Sequence, residues 1–156
     1  MARGIVTQNG EKKGFTVIPK KPKKPKQVKL STLQAKADAA MSVYVRMKHS
    51  DENGYIKCVS CGNPYHWKDV DCGHFIPKSR GAAVRWVFEN CAPECRGCNR
   101  FSESHLIGYT LYMLDTFGRD KITELEQMAR KPLSPSQKRI LAEEAYQHYT
   151  EAIKLL

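Results

Sequence analysis

Two cysteine pairs, Cys58-Val-Ser-Cys61 and Cys95-Arg-Gly-Cys98, constrain this chain more tightly than anything else in it. Two residues between sulfurs let one tight turn present both thiolates to a single ion, and two such turns complete a closed tetrahedral zinc site of four cysteines. Residues 62–94 are then a loop whose ends must meet. Gly62, directly after the first pair, suits the backbone reversal of a zinc knuckle. Neither pair opens a helix within a βαβ pattern, which argues against a dithiol redox site. The other two cysteines, Cys72 and Cys91, are surplus. Cys91 could replace Cys95 as a ligand, but its longer separation from Cys98 fits less well, so both are expected as small buried residues. No signal-peptide h-region precedes them and no apolar run nears the roughly 18 residues of a membrane span, so the expectation is a cytoplasmic protein with metal-bound thiols, not disulfides.

Helical periodicity flanks this loop. Leu33, Ala37, Ala40, Met41, Tyr44 and Val45 predict an amphipathic helix over 31–49 with Ser31 as its N-cap, stopped by Asn53-Gly54. Short β-type runs follow at Tyr55–Val59 and Val84–Phe88. Helices are expected again over 99–117, 119–131 and 135–155, the last opened by Ser134-Pro135 and carrying Leu141, Ala145, Tyr149, Ala152 and Leu156 on one face. The fold class is α+β. It divides into residues 1–29 (basic arm), 30–54 (N-terminal helix), 55–105 (zinc-bound core) and 106–156 (C-terminal helices).

The charge sharpens the partner class. Of 26 Lys+Arg and 16 Asp+Glu in 156 residues, nine basic and one acidic residue fall in residues 1–29, so about eight of the ten net positive charges belong to the arm. Its Pro19-Lys-Lys-Pro-Lys-Lys-Pro-Lys26 run is self-repelling and poor in backbone donors, as expected of a disordered segment. Such an arm either tracks phosphates by counterion release or is a solvated linker. A polyanion partner follows from the net charge, and no membrane segment is expected.

Between the knuckles stand Asp71-Cys72-Gly73-His74-Phe75-Ile76-Pro77 and Glu89-Asn90, and Asn99 directly follows Cys98. This order resembles the HNH endonucleases with a ββα-metal (His-Me finger) site: a strand ending in an acid and a His, a second strand returning with an Asn, and a helix beside the second knuckle. Phosphodiester hydrolysis needs a deprotonated water and a cation on the phosphate. His74 can serve as general base, while Asp71 and the Asn99 side-chain oxygen are hard ligands suited to one hydrated Mg2+ or Mn2+. Asn90 is assigned the orientation of the loop carrying His74. Glu103 and His105 are close enough in sequence to reach the same cation. Lys78, Arg80, Arg85, Arg96 and Arg100 surround these residues, and segment 57–100 holds seven basic and four acidic residues. They are the candidate DNA contacts. Taken singly, a His beside Phe and Ile is a packed histidine, and an Asn after CxxC is a cap. The joint order between two knuckles points to a nuclease.

The resemblance narrows further. Cys58-x-x-Cys-Gly62, Asp71-x-Gly-His74, Arg85-Trp86 leading to Asn90, Cys95-x-x-Cys-Asn99 and a later Phe-Gly-Arg-Asp turn at 117–120 resemble the NinG/Rap family of phage recombination endonucleases, from about residue 30 to the C-terminus. Many HNH enzymes place the acid immediately before the His. Here Gly73 stands there, and the family's Asp-x-Gly-His spacing selects Asp71 over Asp69. The resemblance implies a phage-encoded enzyme in a bacterial host that cuts branched DNA such as Holliday junctions and D-loops, with one structural Zn2+ and one catalytic Mg2+ or Mn2+. It also implies phage or host recombination proteins as partners. A two-fold symmetric junction suggests a homodimer, and the apolar stripes at 31–49 and 135–155 are the candidate dimer surfaces. Two other readings stand beside it: a non-catalytic zinc module binding nucleic acid, and an HNH nicking enzyme acting on ordinary duplex.

Overall fold

The computed structural model describes residues 27–102 and 105–156; the basic run at 19–26 and Glu103 lie outside the described residues. Helix α1, Leu30–Lys48, buries Leu33, Ala37, Met41 and Val45, one every four residues. It begins one residue before Ser31. Lys29 is its N-cap, with its carbonyl accepting the Leu33 N–H at 3.1 Å and no side-chain cap. Helix α4, Pro135–Ile153, starts as its sequence dictates: the Ser134 hydroxyl accepts the Gln137 N–H, and the Gln137 side chain accepts the Ser134 N–H, a reciprocal capping box.

The two helices pack on each other. Ala37, Met41 and Val45 of α1 meet Ala145 and Tyr149 of α4 in a core that also takes in Cys91. The α1 stripe and the Ala145–Tyr149 part of the α4 stripe, expected to form a dimer surface, are therefore consumed inside the monomer, while Leu156 lies beyond the end of α4 and is exposed. Burying side chains the size of Met41 and Tyr149 stabilises by roughly 2 kcal/mol each, which exposure at these sites would forfeit.

Between these helices in sequence lie two antiparallel hairpins. Strand β1, Tyr55–Lys57, pairs with β2, Pro64–His66, across the first knuckle. Strand β3, Val70–His74, pairs with β4, Cys91–Cys95, in a register that runs from Val70 opposite Cys95 to His74 opposite Cys91. The expected strand at Val84–Phe88 does not form. Its apolar, β-branched composition is overridden by tight 3-10 turns over Ala82–Val84 and Phe88–Asn90, with Val84, Val87 and Asn90 each bonding the carbonyl three residues back. With β3 already paired to β4, the segment closes a loop.

Helix α2, Arg96–Phe101, begins immediately after β4, and Ser102 leaves helical geometry. The single helix expected over 99–117 is therefore two, the second being α3, His105–Ala129. Gly118, at φ 77° and ψ 171°, breaks α3 where the sequence suggests a boundary. Ile76, Val84, Ala92, Tyr109, Met113 and Leu125 form a second core under α3. Gly108 lets that helix lie on the first knuckle, since a Cβ there would collide with the Ser60 carbonyl. Among the described residues, no helix is long and apolar enough to cross a membrane.

Candidate metal centre and the His74 pocket

The Val59 N–H donates to the Pro93 carbonyl of β4 at 3.0 Å, which sets the first knuckle against the second. The sulfurs of Cys58, Cys61, Cys95 and Cys98 all lie within 4.8 Å of one another. Tetrahedral zinc with bonds of about 2.3 Å sets its sulfurs just under 4 Å apart, so the four fit one ion after a small contraction. Gly62, at φ 74°, makes the reversal and donates its N–H to the Cys58 carbonyl at 2.8 Å. Backbone amides already face the sulfurs: the Cys95 N–H points at Cys58 Sγ (3.3 Å) and the Cys98 N–H at Cys95 Sγ (3.4 Å). Burial raises the Cys58 thiol pKa. At Cys95 burial opposes ionisation too, but the Cys98 amide and the Tyr65 hydroxyl outweigh it and bring that thiol down to about 7. Cys91 is buried and Cys72 half-buried, both outside the four-sulfur cluster, as expected.

On the α1 side of β3, a pocket of about 300 Å3 brings His74, Asp71 and Asn99 together with Lys78, Arg100 and Asp38. His74 Nε2 lies 3.0 Å from the Arg85 carbonyl oxygen. A carbonyl only accepts, so Nε2 carries the proton and Nδ1 keeps its lone pair. Burial, and after it the Lys78 charge, holds the His74 pKa below its ordinary 6.5, with Asp38 partly opposing. The imidazole is thus neutral at pH 7. Asp71 accepts from Asn99 Nδ2 at 3.1 Å and from Arg100 Nε and Nη2 at 2.7 and 3.1 Å. Burial resists ionisation of its carboxyl, but the Arg100 and Asn99 bonds prevail and lower its pKa.

Asn90 is fully buried and grips the loop that follows His74. Its Oδ1 accepts the Ile76 N–H at 2.8 Å, and its Nδ2 donates to the Ile76 and Val84 carbonyls at 3.1 and 3.0 Å. Tyr109 adds a brace from α3, its hydroxyl lying 3.2 Å from the Gly73 carbonyl and 3.4 Å from that of Asn90.

Other assigned residues land elsewhere. His105 sits with Nδ1 3.2 Å from Glu94 Oε1 rather than beside Asp71. Glu94 is fully buried opposite Asp71, also takes the Ser60 hydroxyl, and has no partner for Oε2 among the described residues. It explains Gly73: a Cβ at that position would run into the Glu94 carboxylate. Arg96 and Arg100 are exposed, as is Arg80 at the rim of a separate cleft with Phe75 and Arg130. Arg85 is not a free cation, because its guanidinium is bound to Asp38 and lies 5.1 Å over the Trp86 ring. Asp38 and Glu94 are the residues that the sequence reading missed. The available signal for Asp38 was an acid next to Ala37 and three residues before Met41, on the face α1 buries.

Comparison with known proteins covers most of the chain. A family model described as Bacteriophage Lambda NinG protein matches residues 9–155. Proteins named Protein ninG from Escherichia phage 933W, Escherichia phage lambda and Salmonella phage P22 are each 24% identical to it over 92 residues, 58% of this chain. That stretch spans 42% of each relative's length. No solved structure matches the chain.

Proposed function

The chain belongs to the NinG family, and on that premise we propose that it is a structure-specific endodeoxyribonuclease that hydrolyses phosphodiesters at DNA branch points. One observation carries the reading: a neutral imidazole, whose Nδ1 has no hydrogen-bond partner among the described residues, shares a pocket with the Asp71–Asn99 pair. The β3–β4 hairpin leading into α2, with a cysteine pair at the join, supports a ββα-metal arrangement. Asp71 offers a carboxylate, and Asn99, which now donates Nδ2–H to it, would offer its amide oxygen once that amide flips, the donor types a hard divalent cation takes. Arg100 now neutralises Asp71, and its side chain is exposed enough to swing aside. Bound there, Mg2+ or Mn2+ would supply charge neutralisation on the scissile phosphate and the leaving oxygen.

The chain's own residues do the rest. His74 Nδ1 takes a proton from a water as that oxygen forms its bond to phosphorus, and the bond to the leaving oxygen breaks. The Arg85 carbonyl accepts from Nε2–H throughout and stabilises the imidazolium that forms. Asn90 holds Ile76, two residues along, so the loop cannot sag away from the strand. Arg96 and, once it leaves Asp71, Arg100 contact phosphates, while Lys78, like Arg85, is held by Asp38. A homodimer matches the symmetry of a four-way junction.

The test uses zinc-loaded full-length protein with four-way junction, linear duplex and single strand, with Mg2+, with Mn2+ or with chelator. Junction cleavage that needs a divalent cation and falls by at least about 100-fold in His74→Ala is expected. Only deprotonated His74 can act, and its pKa lies below 6.5, so the rate should climb through a midpoint under pH 6.5 and then level off. Wild-type protein that binds but cuts nothing would make it a zinc-containing nucleic-acid-binding module, a reading the Asp71–Arg100 pair favours. Equal cutting of linear duplex would make it a nicking enzyme, and full activity in His74→Ala would remove the base from its post.

A further inference from the structure

We infer that Asp38, on α1, is a positioning residue for His74. It fixes the Arg85–Trp86 segment, whose carbonyl sets the imidazole's tautomer and direction. The inference deepens the nuclease reading and rests on it for the role of the base.

Both Asp38 oxygens are fully engaged. Oδ1 accepts from Arg85 Nε at 3.0 Å and from Trp86 Nε1 at 2.9 Å; Oδ2 accepts from Arg85 Nη2 at 2.7 Å and from Lys78 Nζ at 3.2 Å. A lone surface ion pair tethers one flexible side chain and contributes little. Asp38 instead catches two consecutive side chains of one segment, bidentately in the case of Arg85, and is only 23% exposed. It also catches Lys78, four residues beyond His74, and so ties both arms of the loop to α1.

A second clamp acts from the opposite helix. The Tyr149 hydroxyl of α4 donates to the Trp86 carbonyl at 2.8 Å. The peptide plane between Arg85 and Trp86 is thus held through the side chains on either side of it and through the next carbonyl. The Arg85 oxygen is the group that this plane aims, and it receives His74 Nε2–H. Freed to rotate, it would leave Nε2–H without its acceptor, and among the described residues no other hydrogen bond chooses between the two imidazole tautomers. Asp38 therefore acts at one remove from the imidazole.

The charge balance points the same way. His74 is faced by Asp38 from α1, Lys78 and Arg85 from the loop, Cys72 on β3, Cys91 on β4, and the Asp71–Arg100 pair at the pocket's far side. Asp38 offsets the two nearest cations. Removing its charge leaves Lys78 and Arg85 uncompensated and should move the His74 titration to lower pH, the reverse of what removing a cation would do.

The experiment reads His74 directly, in zinc-loaded full-length protein carrying 15N-histidine, with the His74 signals assigned by their loss in His74→Gln. Wild type should show one Nε2–H tautomer. Asp38→Ala should show mixed tautomers and a lower titration midpoint, with junction-cleavage kcat down on the order of 100-fold and KM within about 2-fold. Asp38→Glu should recover part of the kcat. Asp38→Asn, nearly isosteric, gives the same readouts should the alanine variant fail to fold, and it should lower the midpoint. An unchanged tautomer and midpoint in Asp38→Asn and Asp38→Ala would overturn the inference. A shifted tautomer in a protein that cuts no substrate would uphold the positioning while the nuclease reading falls.

Discussion

The knuckle region and the His74 pocket share strands β3 and β4 yet are held together by different means. Around the knuckles the strands are short and Cys61 is exposed, and what gathers the chain is four sulfurs converging on one point. Around His74 there is no such convergence. Asp38 comes from α1, Tyr149 from α4, Asn90 from the loop's end and Tyr109 from α3, each contributing hydrogen bonds of ordinary length. A metal fixes where the ends of a loop go, and packing with directional bonds fixes how a side chain within it points. Neither can do the other's work at this size.

The four sulfurs could hold one structural zinc, and removing it is the strongest way to break that division. Structural zinc contributes an apparent 10–16 kcal/mol or so of binding, on the scale of a whole domain's stability of about 5–15 kcal/mol. A high-affinity zinc chelator, or Cys58→Ser with Cys95→Ser, should abolish hydrogen-exchange protection across residues 55–101. Helices α1 and α4, which have their own shared core, should keep part of theirs. If all protection vanishes in one step, the two regions are a single cooperative unit and the division is wrong.

A subtler break leaves the metal in place. Asn90→Ala would strand the Ile76 N–H and the Ile76 carbonyl, at about 1–3 kcal/mol for each group left without a partner, while the Val84 carbonyl keeps the Val87 N–H. A total near 3 kcal/mol is expected in denaturant unfolding of zinc-saturated protein, with one zinc still bound per chain. Asn90→Asp should do no better, because an ionised carboxylate accepts but cannot donate. A loss under about 0.5 kcal/mol, or loss of the zinc, would show that Asn90 does not serve the pocket alone.

The same contrast explains what could be read in advance. Cysteine spacing is a local code, so the four-sulfur cluster, the Gly62 reversal and the Asp71–Asn99 neighbourhood were legible in the sequence. So were the Ser134 cap and the break at Gly118, which depend on residues within a turn of each other. The pocket was only half legible. Asp38 and Arg85 are 47 residues apart, and only the packing of α1 on β3 reveals that the arginine is spent on the carboxylate and not left for phosphate. Glu94 was hidden by the same distance problem: Gly73 read as a gap in a motif, whereas it is room for a carboxylate from the facing strand. The flanking stripes misled in the other direction, since an apolar face does not say whether its partner is another chain or another helix of the same one.

The smallest expected effect tests whether the framework and the pocket can be separated at all. Ser134→Ala removes the hydroxyl that accepts the Gln137 N–H at 3.3 Å, half of the capping box at the start of α4. Loss of such a cap costs about 1 kcal/mol. Tyr149, the residue by which α4 grips the Trp86 carbonyl, lies near the other end of the helix, several turns from the frayed one. Thermal unfolding should therefore fall by a few degrees, as expected for about 1 kcal/mol in a domain of this size, while the His74 tautomer and titration midpoint stay where they were. Should the His74 signals move with the cap, α4 transmits strain along its whole length, and the pocket's geometry belongs to the helical framework as much as to the bonds that line it.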